Sequence, residues 1–289
     1  MCISSGAVVD AAPKRFAFGS VVVVALADGH FDLDAARLLL PPDQGIVEPW
    51  LARAGLGSVV RSTVNAFLID SGDRRVLVDA GAGDLQDATL GRLESSLRAA
   101  GYEPDAIDDV LLTHLHPDHV GGVSRRGRAV FPRARVHVDA REAAFWQNES
   151  NATAVDASVR ASFEGAIASL RPYAEEERLI TFEPGATVVA GIRAVGLEGH
   201  TVGHTGFRLE SEGETLVFCG DALHVASVQC ADPAVAIRYD AAPTAACDAR
   251  ERLFADAAAR GYWLAAAHAP FPGIGRVRRR DDGYAWEEA

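Results

Sequence analysis

Four side chains that commonly bind metal ions lie within six residues of this chain. The segment reads His114-Leu115-His116-Pro117-Asp118-His119. The first two histidines are two residues apart, so on an extended segment they project to the same side. The proline breaks the strand, so the aspartate and the last histidine turn toward a neighbouring point. A solvated turn is the alternative, but this ligand density directly after the apolar run Val110–Leu112 favours a site for two metal ions.

This segment resembles the signature of the metallo-β-lactamase-fold hydrolase superfamily. Three further motifs of that superfamily follow in the expected order: Gly199-His200-Thr201-Val202-Gly203-His204, Phe218-Cys219-Gly220-Asp221 and Ala267-His268-Ala269-Pro270-Phe271. The resemblance covers roughly residues 18 to 289. Four ordered motifs are far more specific than any one of them alone.

The resemblance implies two divalent metal ions that share one carboxylate, with Zn²⁺ as the default and Fe, Co or Mn as alternatives. One ion would take His114, His116 and His200, the other Asp118, His119 and His268, and Asp221 would bridge them. Asp79, which follows a predicted strand, is expected to brace the metal loop from outside, with an ordinary turn aspartate as the alternative. The second histidine of the glycine-histidine loop, His204, is expected to be structural.

The likeness is greatest to methyl parathion hydrolase and its lactone- and aryl-ester-hydrolysing relatives. It is carried by Thr113–Gly122, Gly220–Gln229 and His268–Gly275. It implies a hydrolase in which a metal-bridging hydroxide attacks lactones or aryl esters, with side activity on organophosphate triesters. A dedicated phosphotriesterase and a non-catalytic ligand-binding protein are the alternatives.

Catalysis is assigned to Asp118, Asp221 and His224. In the related acyl-homoserine lactonases a tyrosine holds the place of His224, three residues after the bridging aspartate. A histidine there can donate a hydrogen bond to a departing alkoxide or phenoxide. The alternative is a structural histidine bonded to the backbone.

Aromatic and aliphatic side chains near these motifs are candidates for the walls of a substrate pocket, because small-molecule sites are mostly apolar. The candidates are Phe145, Trp146, Ile237, Tyr239 and Phe271. Each of them is equally compatible with a place in the hydrophobic core.

Bulk composition narrows the class of protein. The net charge of −12 argues against nucleic acid or an anionic membrane as a partner. The single lysine, Lys14, excludes lysine-based catalysis, and four cysteines without C-x-x-C spacing fit a reducing compartment. Neither a membrane-spanning run nor a secretory leader is recognisable, so we expect a cytoplasmic protein with a small-molecule ester or lactone substrate. The resemblance implies a homodimer.

Apolar periodicity predicts strands in two groups, each followed by helices, and so a mixed α and β chain. The resemblance implies an α+β fold, a four-layer αββα sandwich over residues 18–289, with residues 1–17 as a loose arm. We expect a strand over Gly19–Ala27, a turn at Asp28–His30, and an irregular excursion over 31–57 that covers the site or forms a dimer contact. The arginine-rich stretch 276–280 is predicted to be a solvated turn.

Overall fold

The computed structural model describes residues 11–42, 45–86, 88–153 and 155–289. The strands are β1 (Lys14–Phe18), β2 (Val21–Asp34), β3 (Leu39–Leu40), β4 (Val59–Asp70), β5 (Arg75–Val78), β6 (Asp109–Leu111), β7 (Ser124–Arg125), β8 (Arg128–Ala129), β9 (Arg135–Asp139), β10 (Leu179–Phe182), β11 (Thr187–Val189), β12 (Ile192–Gly196), β13 (Thr205–Ser211), β14 (Glu214–Gly220), β15 (Ala236–Ile237), β16 (Trp263–Ala266), β17 (Ile274–Arg280) and β18 (Gly283–Glu288). The helices are α1 (Ala35–Leu38), α2 (Glu48–Arg53), α3 (Leu93–Ala99), α4 (Pro117–Val120), α5 (Ala140–Trp146), α6 (Glu149–Thr153), α7 (Ala157–Glu175), α8 (Ala226–Ala231) and α9 (Pro243–Arg260). No helix within these ranges is long and apolar enough to cross a membrane.

Two seven-stranded mixed sheets pack face to face. The first has the order β1-β2-β4-β5-β6-β9-β10 and the second β11-β12-β13-β14-β16-β17-β18. Side chains from both sheets form the core between them, where the rings of Phe67 and Phe218 lie 5.5 Å apart. Helices α3, α5 and α7 cover the outer face of the first sheet, and α9 covers that of the second. The predicted four-layer αββα sandwich is therefore confirmed.

Strand β2 shows why the central strands are apolar at almost every position. Val23 and Ala25 face the core between the sheets, while Val24 and Leu26 face the helices. Successive side chains of a strand point to opposite faces, and here both faces are buried. A continuous run of small β-branched and aliphatic residues therefore packs against the helices on one face and against the second sheet on the other.

The sheet topology brings the predicted ligand loops to one edge. Strands β5, β6 and β9 are parallel in the first sheet, and β14 and β16 are parallel in the second. The carboxyl ends of parallel neighbours lie at the same edge of a sheet. The loops that follow these five strands carry all the predicted metal ligands except His200, which lies between β12 and β13.

The chain departs from the predicted elements at both ends. The loose arm is wrong for residues 14–17, because β1 pairs with β2 and buries Phe18 between the sheets, whereas residues 1–10 lie outside the described ranges. The turn predicted at 276–280 is also wrong. This stretch lies in β17, where Arg278 pairs with Glu287 of β18 at 3.0 Å and Arg276 stacks 4.1 Å from the ring of Trp263. The side chains of Arg278, Arg279 and Arg280 are exposed to solvent, so the prediction fails in the backbone conformation and not in the solvation.

The turn predicted at Asp28–His30 is a bulge within β2. Buried Asp28 accepts hydrogen bonds from the backbone N–H groups of Ala82, Gly91 and Leu93, at 2.9 to 3.0 Å. The excursion after residue 30 is more regular than expected, since it contains the end of β2, α1, β3 and α2.

Asp109, at the first position of β6, forms a buried charge cluster at the end of the sheet opposite the metal loop. Its carboxylate lies 2.7 Å from His137 Nε2 and 2.6 Å from Arg74 Nε. Burial opposes ionisation, but His137 and Arg74 hold the pKa of Asp109 below its ordinary value.

Asp109→Asn should lower the free energy of unfolding by about 2 kcal/mol at pH 7, because charged hydrogen bonds are lost in a buried place. An aspartate whose folded-state pKa is depressed stabilises the fold above its unfolded value of about 3.9, and that stability disappears as the pH falls through the folded-state pKa. The free energies of unfolding of the wild type and of Asp109→Asn, measured with urea, should therefore converge as the pH is lowered toward 3. Asp105→Asn, at an exposed position, is the control; an equal loss at pH 3 and pH 7 would contradict the role of charge.

Candidate metal centre

The seven predicted ligands converge at the edge of the sandwich in two adjoining groups. One group contains His114, His116, His200 and Asp221, and the other contains Asp118, His119 and His268. Within each group the potential ligand atoms lie within 4.8 Å of one another. Asp221 lies between the groups, with Oδ1 3.1 Å from His119 Nε2 and Oδ2 3.2 Å from Nε2 of both His200 and His268.

The loop after β6 supplies four of these side chains because its backbone changes direction at Pro117. His116 is extended, with φ −67° and ψ 153°, and Pro117 occupies the first turn of α4. The extended part directs His114 Nε2 and His116 Nδ1 to within 3.0 Å of each other. The helical turn carries Asp118 and His119 to the second group, as the proline predicted.

Hydrogen-bond acceptors outside the site fix the orientation of the imidazoles. Each of three histidines has its Nδ1 beside an oxygen: His119 with Asp79 Oδ2 (2.8 Å), His200 with Asp240 Oδ1 (2.9 Å) and His268 with the Thr63 carbonyl (2.9 Å). A neutral imidazole that donates from Nδ1 has a lone pair on Nε2. Such outer partners are the usual support of metal-ligating histidines.

This donor set fits a pair of cations. Within the described residues, His119 Nε2 and Asp221 Oδ1 are buried and have no hydrogen-bond partner, although they lie 3.1 Å apart. His116 Nδ1 lies 3.0 Å from Nε2 of both His114 and His200. Lone pairs that face each other at this distance repel unless positive charge lies between them. Imidazole and carboxylate donors match Zn²⁺ and related divalent ions.

The electrostatics of the site keep His114 and His116 neutral and favour positive charge next to the carboxylates. Burial lowers the pKa of His114 and His116 well below the ordinary value, and neighbouring histidines lower it further. Burial also disfavours a charge on His119, yet the carboxylates of Asp221 and Asp79 raise its pKa well above the ordinary value. Burial opposes ionisation of Asp221, but the surrounding histidines hold its pKa well below the usual range.

Asp79 supports the metal loop from a strained backbone position. Its φ of 58° lies in the left-handed region, which is uncommon for residues other than glycine. There its carboxylate accepts hydrogen bonds from the backbone N–H and the hydroxyl of Thr113, and it also contacts His119. One carboxylate therefore links the start and the end of the ligand segment.

His204 has a partner at each ring nitrogen. Its Nδ1 donates to the carbonyl of Leu197 at 2.9 Å, and its Nε2 accepts from the backbone N–H of Asp221 at 3.1 Å. Gly220 permits this approach, because its φ is 49° and a Cβ there would lie 2.6 Å from His204 Nε2. This geometry supports the structural role expected for His204.

His224 lies beside both groups. Its Nε2 is 3.1 Å from Asp221 Oδ2, its ring stacks on His268 at 4.9 Å, and its buried Nδ1 has no partner within the described residues. Burial lowers its pKa to about 4, so the ring is neutral at pH 7. Asp221, His224 and His268 also form a metal-compatible group, which makes His224 a candidate ligand as well.

A cavity of about 880 Å³ opens above the ligands. Phe145 and Trp146 form part of its wall, and Tyr239 lies near its mouth with 44% of its surface exposed. The excursion after residue 30 contributes Phe31 and Asp32, so part of it does lie over the site.

Two of the predicted pocket residues do not line this cavity. Ile237 is fully buried in a cluster with Leu33 and Val235, because β15 pairs with β3 below the cavity wall. Phe271 packs against the core between the sheets, with the ammonium of Lys14 5.9 Å from its ring. The predicted pocket roles of Ile237 and Phe271 are therefore wrong.

Two supporting carboxylates were not predicted. Glu142 is buried at the start of α5 and accepts hydrogen bonds from the backbone N–H groups of Leu115 and Gly203, so it joins two ligand loops. Asp240 orients His200. Neither lies in a motif with ligand spacing; the only available signal was an acidic residue at a position that must be buried.

Residues 59–278 match the family model described as the metallo-beta-lactamase superfamily. The chain belongs to the metallo-β-lactamase superfamily. It is therefore a member of a superfamily of metal-dependent hydrolases, and its His and Asp cluster fits the divalent ions that this fold typically binds.

Solved structures of the metallo-β-lactamase superfamily resemble the whole chain. A hydrolase called AbOPH is 36% identical, with a TM-score of 0.90 over 96% of this chain and 98% of that one. AidC, a dizinc quorum-quenching lactonase in complex with a product, has a TM-score of 0.86 at 23% identity, over 96% and 97% of the two chains.

A curated relative is an atrochrysone carboxyl ACP thioesterase from Passalora fulva, 30% identical over 161 residues. The match covers 55% of this chain and 38% of that protein. The chain matches about half the length of the first curated relatives, from 38 to 60%.

Proposed function

We propose that this protein is a dinuclear metal-dependent hydrolase of lactones or aryl esters, with side activity on organophosphate triesters. The observation that carries the proposal is the convergence of seven buried or half-buried ligands at the floor of an aromatic-walled cavity, with His224 beside them. Zn²⁺ is the expected metal, and Fe, Co or Mn would satisfy the same donors.

The metal ligands have a direct role in this proposal. His114, His116, His200 and Asp221 would hold one ion, and Asp118, His119, His268 and the same Asp221 would hold the other. The pair of ions would supply a water nucleophile of lowered pKa and polarise the substrate's carbonyl. Asp118 and Asp221 would stabilise the ions and orient the nucleophile, and Asp79 would keep His119 in the required tautomer.

His224 is proposed to act on the leaving oxygen. A neutral ring beside Asp221, with one nitrogen free of protein partners, can turn an N–H toward an alkoxide or phenoxide as the ester C–O bond breaks. This favours oxygen esters and lactones. Breaking such a bond generates a localised anion, which one hydrogen bond stabilises strongly in a buried site.

The cavity favours a substrate with an apolar body. Phe145, Trp146 and Phe163 pack edge-to-face or tilted against one another in its wall, at centroid distances of 4.4 to 5.6 Å. Small-molecule pockets occupy roughly 300–1,000 Å³, so this one lies in the upper part of that range. The lactonase activity named for AidC, whose fold is shared, agrees with this substrate class.

A panel of substrates tests the proposal. Zn²⁺-reconstituted protein should contain two metal ions per chain and hydrolyse aryl acetates and lactones with higher kcat/KM than a paraoxon-type triester. A higher kcat/KM on the triester would favour a dedicated phosphotriesterase. Preference for an acyl thioester or a β-lactam would overturn the proposal. Fewer than two metals with no turnover would favour a non-catalytic ligand-binding protein.

The partners follow from the same proposal. We propose a small-molecule substrate, no nucleic-acid or membrane partner, a homodimer and a location in the cytoplasm. The net charge of −12 supports the exclusion of polyanionic partners.

A further inference from the structure

One arginine is buried almost completely behind the metal centre. Arg250, on the second-sheet side of α9, exposes 1% of its surface. A buried guanidinium is costly unless its N–H groups and its charge have partners. Its hydrogen-bond partners show which part of the chain it holds in place.

Arg250 holds three backbone carbonyls of the segment 222–240. Its Nε donates to the carbonyl of Ala222 at 2.5 Å, and its Nη1 donates to those of Pro233 and Val235 at 2.7 and 2.9 Å. This segment has little regular structure besides α8 and β15, so its carbonyls need such donors. The planar fork of a guanidinium can reach several carbonyls at once.

Buried Gln229 extends the same network. Its Oε1 accepts from the backbone N–H groups of His224 and Val225, and its Nε2 donates to Val235. Arg250 and Gln229 therefore share the carbonyl of Val235. Together they fix the backbone from Ala222, next to Asp221, to Val235, directly before β15.

Arg250 is also connected to the candidate metal ligand His200, through Asp240. Its Nη2 lies 4.0 Å from Asp240 Oδ2, which is an ion-pair distance rather than a hydrogen bond. The other oxygen of Asp240 contacts His200 Nδ1 at 2.9 Å. A chain of contacts thus runs from Arg250 through Asp240 to His200.

We propose that Arg250 is a positioning residue for the three-histidine metal site: it fixes Asp221 through Ala222 and His200 through Asp240. Both ends of the network belong to the group of His114, His116, His200 and Asp221. The group of Asp118, His119 and His268 contains neither His200 nor Asp221 and adjoins the network only where Asp221 lies beside His119 and His268. This inference rests on the metal centre of the proposed function and on neither its substrate nor its rate.

Zinc affinity is the test, measured by competition with a chromophoric chelator on apo protein at a temperature where every variant is folded. Arg250→Met should raise the Kd of the affected Zn²⁺ ion by about 10–100-fold, as losses of outer-shell support usually do, with a smaller effect on the second ion. Arg250→Lys, which keeps the charge but not the fork, should fall between wild type and Arg250→Met. Arg252→Met, on the exposed face of the same helix, should match wild type.

Asp240→Asn keeps the test decisive if Arg250→Met does not fold. It should weaken binding of the same Zn²⁺ ion. In the double variant with Arg250→Lys, the loss of binding free energy should be smaller than the sum of the two single losses, because both changes interrupt one chain of contacts. Additive losses, or wild-type zinc affinity in folded Arg250→Lys and Asp240→Asn, would overturn the inference. A merely structural role would lower Tm and leave the Kd unchanged. If wild type binds two zinc ions and hydrolyses nothing, the proposed substrate class fails and this inference stands.

Discussion

Asp221→Asn is expected to lower kcat/KM on every hydrolysed substrate by roughly a thousandfold, which corresponds to about 4 kcal/mol. Among the residues that the structure describes, Asp221 is the one side chain with oxygens within 3.2 Å of candidate ligand nitrogens in both groups. An amide cannot supply the negative charge that both ions share, and its nitrogen presents hydrogens to a metal. Stopped-flow or steady-state assays on an aryl ester, a lactone and a triester should show the same proportional loss.

The control for this variant is Asp248→Asn, an exposed aspartate on α9. It removes the same formal charge and should retain wild-type rates and metal content. Metal analysis of Asp221→Asn should show fewer than two zinc ions per chain. If Asp221→Asn kept both ions and lost less than about tenfold in rate, the carboxylate would not be shared by the two ions.

His224→Leu should separate substrates by leaving group. The loss in kcat is expected to be about 10–100-fold for an alkyl lactone, whose departing alkoxide the ring N–H would stabilise by a hydrogen bond, because one donor aimed at a developing oxyanion contributes at least this much. A p-nitrophenyl triester should lose much less, since its phenoxide leaves without a proton. The structural basis is a neutral ring 3.1 Å from Asp221 with an unpartnered Nδ1.

His224→Gln is the informative companion, because its amide restores an N–H donor of similar reach. It should recover part of the lactone activity. Zinc content distinguishes this role from metal ligation: His224→Leu should retain both ions. Loss of one ion, with an equal fall on lactone and triester, would instead make His224 a ligand in the group it forms with Asp221 and His268.

Local motifs were sufficient to predict which side chains converge at the candidate metal centre. Residues such as His116 and Asp118 are close in sequence, and a strand followed by a proline fixes their directions with little help from the rest of the chain. Parallel strands then gather every ligand loop except that of His200, which joins the antiparallel strands β12 and β13. The superfamily resemblance supplied the sandwich, which periodicity alone could not distinguish from other mixed folds.

Residues that act across long sequence distances were not predictable. Asp240 contacts His200 because the chain after β15 returns to the His200 loop, where the backbone N–H groups of Ala241 and Ala242 donate to the carbonyls of His200 and Gly199. The pairing of β15 with β3 buries Ile237, which looked equally suited to a pocket wall. The arginines of β17 resembled a solvated loop because their acidic partners lie across a hairpin, on β18.

Each group of ligands draws on both halves of the sandwich. His114 and His119 follow a strand of the first sheet, while Asp221 and His268 follow strands of the second. Under the proposed function, bound ions would link the two sheets, and the melting temperature would depend on the concentration of free Zn²⁺. At a zinc concentration one hundred times the Kd, each ion adds about 2.7 kcal/mol to the folded state. Removal of Zn²⁺ would therefore lower the melting temperature as well as the activity.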